Sequence, residues 1–186
     1  MDKKVIRTVF SLFLVIFLLL FSYTTTVFFI EKTPSQQQTI DYLYGRGELP
    51  SDYTALEKSH LEDVKNVMKY TDYLFYISLA IITLLLTYFR KDKQELHHLL
   101  WIGSMSTMVS VALILLLALL FFDQLFTAFH LLFFPQGNWT FPYNSLLIRT
   151  FPLQFFMKIG RMIFMEALGI GVIVFLISRR MKQLKS

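Results

Sequence analysis

The chain contains no cysteine, which excludes a disulfide framework, a thiol nucleophile and a thiolate metal site. Four-helix membrane oxidoreductases that work through cysteine pairs are excluded for the same reason. The sequence also lacks a phosphate-cradling glycine loop, a His-Glu-x-x-His metalloprotease helix and a Gly-x-Ser-x-Gly nucleophile motif. These absences narrow the chemistry that the chain can perform.

Charged residues are also scarce, at 17% of the chain, whereas soluble domains average about 25%. Apolar residues occur in runs long enough to cross a bilayer, which takes roughly 20 residues. We predict spans at about 5–28, 72–89, 99–122 and 153–178. The first run is longer than the roughly 7–15 apolar residues of a signal peptide, so we interpret it as a retained helix. The predicted fold is an all-α, four-transmembrane-helix bundle in a single membrane domain, residues 1–186.

The distribution of lysine and arginine predicts the orientation of these spans. The bases cluster at Lys3, Lys4 and Arg7, at Arg90, Lys91 and Lys93, and at Arg179, Arg180, Lys182 and Lys185. Because cytoplasmic segments carry an excess of such residues, we expect a multi-pass cell-membrane protein with both termini in the cytoplasm. The segments 31–71 and 123–152 are then extracytoplasmic. The net charge of +5 is explained by this excess, so no nucleic-acid partner is expected.

Each of the two extracytoplasmic segments contains an element suited to the membrane surface. In the first, Thr54 and Glu57 have the spacing of a helix capping box. The amphipathic helix predicted to follow leads into the second span and carries Leu56, His60, Val64 and Val67 on one face. In the second, the aromatic stretch 126–134 is too short to cross, so we expect an interfacial or re-entrant element. The sequence Asn138-Trp139-Thr140 also matches a glycosylation sequon, a pattern too short to carry weight alone.

Two of the four histidines are candidate functional residues. His60 and His130 both lie in predicted extracytoplasmic segments and interrupt apolar surfaces, which is costly unless the ring is hydrogen-bonded. Asp63 lies one helical turn after His60, so its carboxylate could orient the ring of either histidine. A purely structural role for each histidine remains an alternative on this evidence.

A third candidate is Glu166, a carboxyl deep within the fourth predicted span. Such a group should be paired, protonated or facing a cavity. Arg161 is the nearer possible partner for its carboxylate, and Arg149 is the other. A structural pairing role and a role in substrate handling are both open from the sequence.

Two segments resemble a known bacterial family. Residues 57–65, with His60 and Asp63 followed by Val64, resemble its His-x-x-Asp-Val segment. Residues 129–134 followed by 139–141 resemble its Phe-His-x-x-Phe-Phe stretch before Trp-x-Phe. The family is the lipoprotein intramolecular transacylase (Lit) family of integral membrane proteins from Gram-positive bacteria. Four spans in the same order extend the similarity over most of the chain.

The resemblance implies an acyl transfer on lipidated lipoproteins, without a cofactor and without a metal. The sn-2 acyl chain of a diacylglyceryl cysteine would move to the free α-amino group, giving the lyso-form lipoprotein. The expected partners are lipoproteins with a diacylglyceryl N-terminal cysteine and membrane lipids. The catalytic candidates are His60, His130 and Asp63, with His60, oriented by Asp63, as the base. The substrate-binding candidates are Trp139, Phe129, Phe133, Arg161, Glu166 and Tyr42.

Two other classes of function compete with acyl transfer. The first is a non-enzymatic membrane module whose first extracytoplasmic helix docks a partner and whose histidines are structural. The second is a metal site, since nitrogen and oxygen ligands from His60, Asp63 and His130 could hold zinc.

Overall fold

The computed structural model describes residues 2–183, and these residues form helices and loops without a β-strand. The helices are α1 (Lys3–Phe29), α2 (Pro34–Leu43), α3 (Ala55–Tyr88), α4 (Lys93–Leu120), α5 (Phe122–Phe133), α6 (Leu146–Thr150) and α7 (Leu153–Gln183). Four of them, α1, α3, α4 and α7, are long and apolar enough to cross a membrane. The prediction of an all-α fold with four membrane-spanning helices is therefore confirmed.

The predicted amphipathic helix and the second span form one unbroken helix, α3. It has 34 residues and a length of about 50 Å at 1.5 Å per residue. The predicted capping box is present at its start, since Thr54 and Glu57 each bond the other residue's backbone N–H. The predicted aromatic element is helix α5, whose 12 residues are too few to cross a bilayer.

Helices α1, α4 and α7 pack against one another, whereas α3 packs along α1 and has little contact with α4 or α7. The close approach of α1 and α4 depends on a small residue, as is common between membrane helices. A Cβ added at Gly103 of α4 would lie 2.7 Å from Cδ2 of Leu14 in α1. Phe10, fully buried, packs in the same interface with Leu99.

An ion pair fixes α1 to α4 at one end of the bundle. Arg7 donates two hydrogen bonds to the Glu95 carboxylate, from Nε to Oε1 and from Nη2 to Oε2, each of 2.8 Å. Lys3 adds a third contact at 3.3 Å from its Nζ to Oε2 of Glu95. We call the opposite end of the bundle, where α2, α5 and α6 lie, the distal end.

At the distal end, a second apolar cluster joins helices that are far apart in the sequence. Its buried members are Val27, Ile40, Tyr53, Leu61, Leu147 and Phe151. Polar contacts connect the same elements, because Nε2 of Gln36 in α2 donates to the backbone oxygen of Thr150 in α6 at 2.8 Å. The first turns of α3 are therefore held in a packed unit formed by α1, α2 and α6.

Candidate active site

The two histidines predicted as catalytic lie next to each other at the distal end. His60 is in the second turn of α3 and His130 is near the end of α5. Their ring centroids are 6.3 Å apart and the ring planes differ by 22°. His60 is only 7% exposed, and His130 is half-buried.

Aromatic side chains surround the histidine pair. The ring centroid of His60 lies 4.8 Å from that of Phe134 and 5.5 Å from that of Phe141. The ring centroid of His130 lies 4.0 Å from that of Phe126 and 4.9 Å from that of Trp139. Aromatic rings thus flank both histidines, and His130 is the more accessible of the two.

A backbone hydrogen bond determines the tautomer of His130. Its Nδ1 lies 2.7 Å from the carbonyl oxygen of Phe126. Because a carbonyl oxygen can only accept, Nδ1 carries the hydrogen, and Nε2 of the neutral ring has a free lone pair. Burial lowers the pKa of His130 from its usual value, although this carbonyl acts in the opposite direction. His130 is therefore oriented to accept a proton at Nε2.

His60 is held neutral by its surroundings. Burial lowers the pKa of His60 to about 4, and the neighbouring His130 adds to this effect. The Asp63 carboxylate and the Asn138 side chain act in the opposite direction, but less strongly. Near pH 7 the site therefore contains two uncharged imidazoles.

The lowered pKa of His60 predicts that the protein loses stability in mild acid. The unfolded chain would bind a proton at His60 below about pH 6.5, whereas the folded chain would not do so until about pH 4. Stability from this group is thus complete above pH 6.5 and falls as the pH approaches 4, by roughly 3 kcal/mol at most. We expect the melting temperature of the purified protein to drop between pH 7 and pH 5. The drop should shrink in His60→Gln, and an equal drop in that variant would contradict the assignment.

The hydrogen bonds of Asp63 go to two amides rather than to a histidine ring. Its Oδ2 accepts from Nε2 of Gln136 and from Nδ2 of Asn138, each at 2.6 Å. Asn138 also donates to Oγ of Ser59 at 3.1 Å. Asp63 therefore connects α3 to the loop after α5, a connection that no motif in the sequence indicates.

A second connection joins the start of α3 to α6. Oε1 of Glu57 accepts from the backbone N–H of Leu147, and Oε2 accepts from the backbone N–H and the hydroxyl of Thr54, each at 2.8 Å. Glu57 is only 1% exposed. Burial acts to raise the pKa of Glu57, but the donors from Leu147 and Thr54 outweigh it, so the pKa is lowered. The Glu57 carboxylate is therefore charged, and its hydrogen bond to Leu147 connects α3 to α6.

Three of the predicted substrate-binding residues lie beside His130. The ring of Trp139 is tilted by 40° against that of His130, and the ring centroid of Phe129 lies 5.5 Å from that of His130. Phe133 in turn lies 4.7 Å from Phe129. Phe129 and Phe133 remain 48% and 43% exposed, so they present an apolar surface next to the histidine.

The other three predicted substrate-binding residues have no hydrogen bond or ring contact with the histidines in the part of the chain that the structure describes. Tyr42 donates to Glu62, and the ammonium of Lys65 lies 4.1 Å from its ring centroid, so Tyr42 connects α2 to α3. Arg161 is exposed on α7.

Glu166 lies in a groove of about 540 Å³ between α1 and α7. Its carboxyl group bonds the hydroxyls of Thr25 and Thr26 at 2.7 and 3.4 Å. The expected pairing with Arg161 or Arg149 is therefore not formed within residues 2–183. Threonines of α1 take the place of the expected arginines.

The zinc alternative receives no support from the arrangement of possible ligands. Within residues 2–183, no group of three or more histidine, aspartate or glutamate side chains is placed to hold a metal ion. Asp63 is instead engaged with the amides of Gln136 and Asn138.

Four apolar helices with an adjacent pair of histidines at one end define an integral membrane protein with a candidate acid–base site. Residues 35–156 match the sequence model of the family described as lipoprotein intramolecular transacylase Lit. That match covers more than half of the chain, and the chain belongs to this family. No curated protein matches the chain.

Solved structures of a Lit protein from Bacillus cereus have the same fold. One, the membrane integral lipoprotein intramolecular transacylase Lit determined in meso, matches with a TM-score of 0.84 at 21% identity. The match covers 98% of this chain and 97% of that one. Two further structures of the same protein, in which a histidine is replaced by arginine or by alanine, match with TM-scores of 0.79 at 21% identity. Each of these two matches covers 98% of this chain, and they cover 93% and 94% of the respective Bacillus cereus chains.

Proposed function

We propose that this chain moves the sn-2 acyl group of a diacylglyceryl-modified lipoprotein to the α-amino group of the same N-terminal cysteine. The observation that carries the proposal is the pair of imidazole rings 6.3 Å apart, flanked by aromatic side chains. Family membership supports a lipoprotein transacylase in general. An intramolecular transfer needs a base and a site that holds the reacting groups together. It needs no second bound substrate, because the amine and the ester belong to one molecule.

The tautomer of His130 favours it as the base. The amine nitrogen attacks the carbonyl carbon of the ester, and Nε2 of His130 takes a proton from that nitrogen. The carbon–oxygen bond to glycerol then breaks, and the same proton passes from His130 to the departing oxygen. The products are an amide and a free glycerol hydroxyl, so atoms and charges balance. Positioned acid–base help of this kind is worth roughly 10²–10⁴ in rate.

His60 then serves as the second imidazole, which orients the amine rather than deprotonating it. The sequence favoured His60 as the base on the strength of Asp63, but the hydrogen bonds of Asp63 go to Gln136 and Asn138. An amine placed between the two rings could donate one N–H to each ring. The neutrality of His60 also favours the positive charge that His130 acquires on accepting a proton.

The apolar surface next to the site suits the lipid part of the substrate. Phe129 and Phe133 are exposed beside His130, and the span of α3 has little contact with α4 or α7. Acyl chains could therefore reach the histidines from the membrane without crossing a packed interface. Trp139, against the ring of His130, would border the ester.

The proposed orientation places the distal end outside the cell and both termini in the cytoplasm. The basic clusters, including Lys3 and Arg7, support it. The Arg7–Glu95 ion pair lies at the end opposite to the histidines. In this orientation the proposed site would act on lipid-anchored proteins at the outer face of the membrane.

Mass spectrometry of lipoprotein N-terminal lipopeptides tests the proposed function. Cells that express the chain should convert a free N-terminus with two ester-linked acyl groups into an amide-linked acyl group and one ester, with total lipid mass unchanged. Cells without the chain provide the control. Identical lipopeptides despite good expression would contradict the transfer and favour the non-enzymatic membrane module.

A further inference from the structure

Two buried polar atoms near the histidine pair have no hydrogen-bond partner among the described residues. They are Nδ1 of His60 and Oδ1 of Asn138. An unsatisfied buried polar group typically costs about 1–3 kcal/mol, so two in one site call for an explanation. Asn138 is held next to His60, because its amide nitrogen bonds Ser59, one residue before His60, and Asp63, one helical turn after it. The two atoms are thus candidate partners for each other.

The other contacts of Asn138 determine which way its amide points. Its Nδ2 lies 2.6 Å from Oδ2 of Asp63. A carboxylate can only accept, so the amide nitrogen must face Asp63 and the amide oxygen must face the other way. Ser59, one residue before His60, accepts from the same nitrogen at 3.1 Å. The Asn138 side chain, only 9% exposed, therefore has little freedom to turn.

We propose, building on the function proposed above, that Asn138 is a positioning residue whose Oδ1 accepts a hydrogen bond from Nδ1–H of His60. Asp63 then acts on His60 through the amide of Asn138. With the hydrogen on Nδ1, the Nε2 atom of neutral His60 keeps a lone pair and can accept an N–H of the attacking amine. The hydrogen bonds from Asn138 to Asp63 and to His60 thus determine which ring nitrogen of the second imidazole meets the substrate.

The backbone before Asn138 is suited to this placement. Gly137 has a φ of +80°, a conformation that other residues adopt with strain, and its N–H donates to the oxygen of Phe134 at 3.1 Å. This turn directs the chain back towards α3, so that Asn138 reaches Asp63. Burial of the side chain also means that the sequon at Asn138 is not an accessible acceptor in the folded protein.

The direct test is the tautomer of His60 in the intact protein. Nitrogen NMR of histidine-labelled protein distinguishes protonated from unprotonated ring nitrogens, and only four histidines contribute. His60→Gln assigns the signal. We expect Nδ1 of His60 to be protonated at pH 7.5 in the wild type, and Asn138→Leu to move the hydrogen to Nε2 in a substantial fraction of molecules. A wild-type His60 protonated at Nε2, or an unchanged tautomer in Asn138→Leu, would overturn the proposal.

Activity provides a second readout with a matched control. Asn138→Leu should lower kcat on the order of 10²-fold, the lower range of positioned acid–base effects, with little change in KM. Asn144→Leu, an exposed asparagine of the same loop, should leave both unchanged. In the double variant Asp63→Asn with Asn138→Asp, the amide at position 63 donates to the carboxylate at position 138, which can still accept from Nδ1–H of His60. This double variant should recover most of the activity that Asn138→Leu loses.

The two readouts separate this proposal from the proposed function. If the lipopeptides show no transfer in any variant while the tautomer depends on Asn138, the contact stands and the acyl-transfer reaction is wrong. If transfer proceeds unchanged in a folded Asn138→Leu protein, the positioning role is wrong and the reaction stands.

Discussion

Replacing His130 with alanine should abolish lyso-lipoprotein formation, with a rate loss of about 10³-fold or more. The variant removes the proposed base, whose Nδ1–H is bonded to the oxygen of Phe126 so that Nε2 can accept a proton, and acid–base help of this kind accounts for roughly 10²–10⁴ in rate. His60→Ala should be similarly inactive, because the attacking amine loses its second acceptor. The measurement is the rate of conversion of a diacyl lipopeptide by purified protein, followed by mass spectrometry.

The control for both variants is a histidine at the other end of the molecule. His98 is half-buried near the start of α4 and should tolerate alanine with near-normal rates. Since the loss of a buried ring can also unfold the protein, the melting temperature of each variant is measured alongside. Full activity in both His60→Ala and His130→Ala would refute the assignment of the site.

Replacing Glu57 with alanine should lower the free energy of unfolding by about 3 kcal/mol. The change leaves the buried N–H of Leu147 without its acceptor and removes the reciprocal cap at Thr54. Unmet buried donors cost about 1–3 kcal/mol each, with more for bonds to charged groups. Because the pKa of Glu57 is lowered, its contribution is present above about pH 4.3 and is lost as the pH falls further. Denaturant unfolding in detergent at pH 7 measures the loss.

An exposed glutamate provides the comparison for Glu57. Glu48 lies in the loop between α2 and α3 and is exposed, so Glu48→Ala should change stability by no more than about 0.5 kcal/mol. Equal effects of the two substitutions would show that the hydrogen bond between Glu57 and Leu147 contributes nothing to the free energy of unfolding. We expect a large loss of stability only in Glu57→Ala. That variant should also show reduced transfer activity, since His60 is in the next turn of the same helix.

The fold was predictable because its main signals are local. A run of about 20 apolar residues identifies a span without knowledge of its neighbours, and the capping box of Thr54 and Glu57 depends on three residues of spacing. The amphipathic helix predicted to lead into the second span is continuous with it. That continuity follows from the absence of a helix-breaking residue between 55 and 88.

The partners of the site residues were less predictable, because they depend on how distant helices rotate against each other. Asp63 was expected to bond a histidine, but the turn at Gly137 brings Asn138 and Gln136 to its carboxylate. Arg161 and Arg149 were possible partners of Glu166, but its carboxyl group bonds Thr25 and Thr26 of α1. Neither contact has a sequence signature, since both join residues that are more than 70 positions apart.

The unbroken course of α3 also makes the site sensitive to the thickness of the membrane. His60 lies roughly 40 Å from the far end of this helix, so a change in tilt of about 2° would displace the imidazole by roughly 1.4 Å. Spans change tilt to match the bilayer, and an error of about 1 Å at a reacting group can cost on the order of 10² in rate. The contacts of Glu57 with Leu147 and of Asn138 with Asp63 hold the distal turns of α3 in place. By anchoring His60 to α6 and to the loop after α5, they oppose the displacement that a change in tilt would cause.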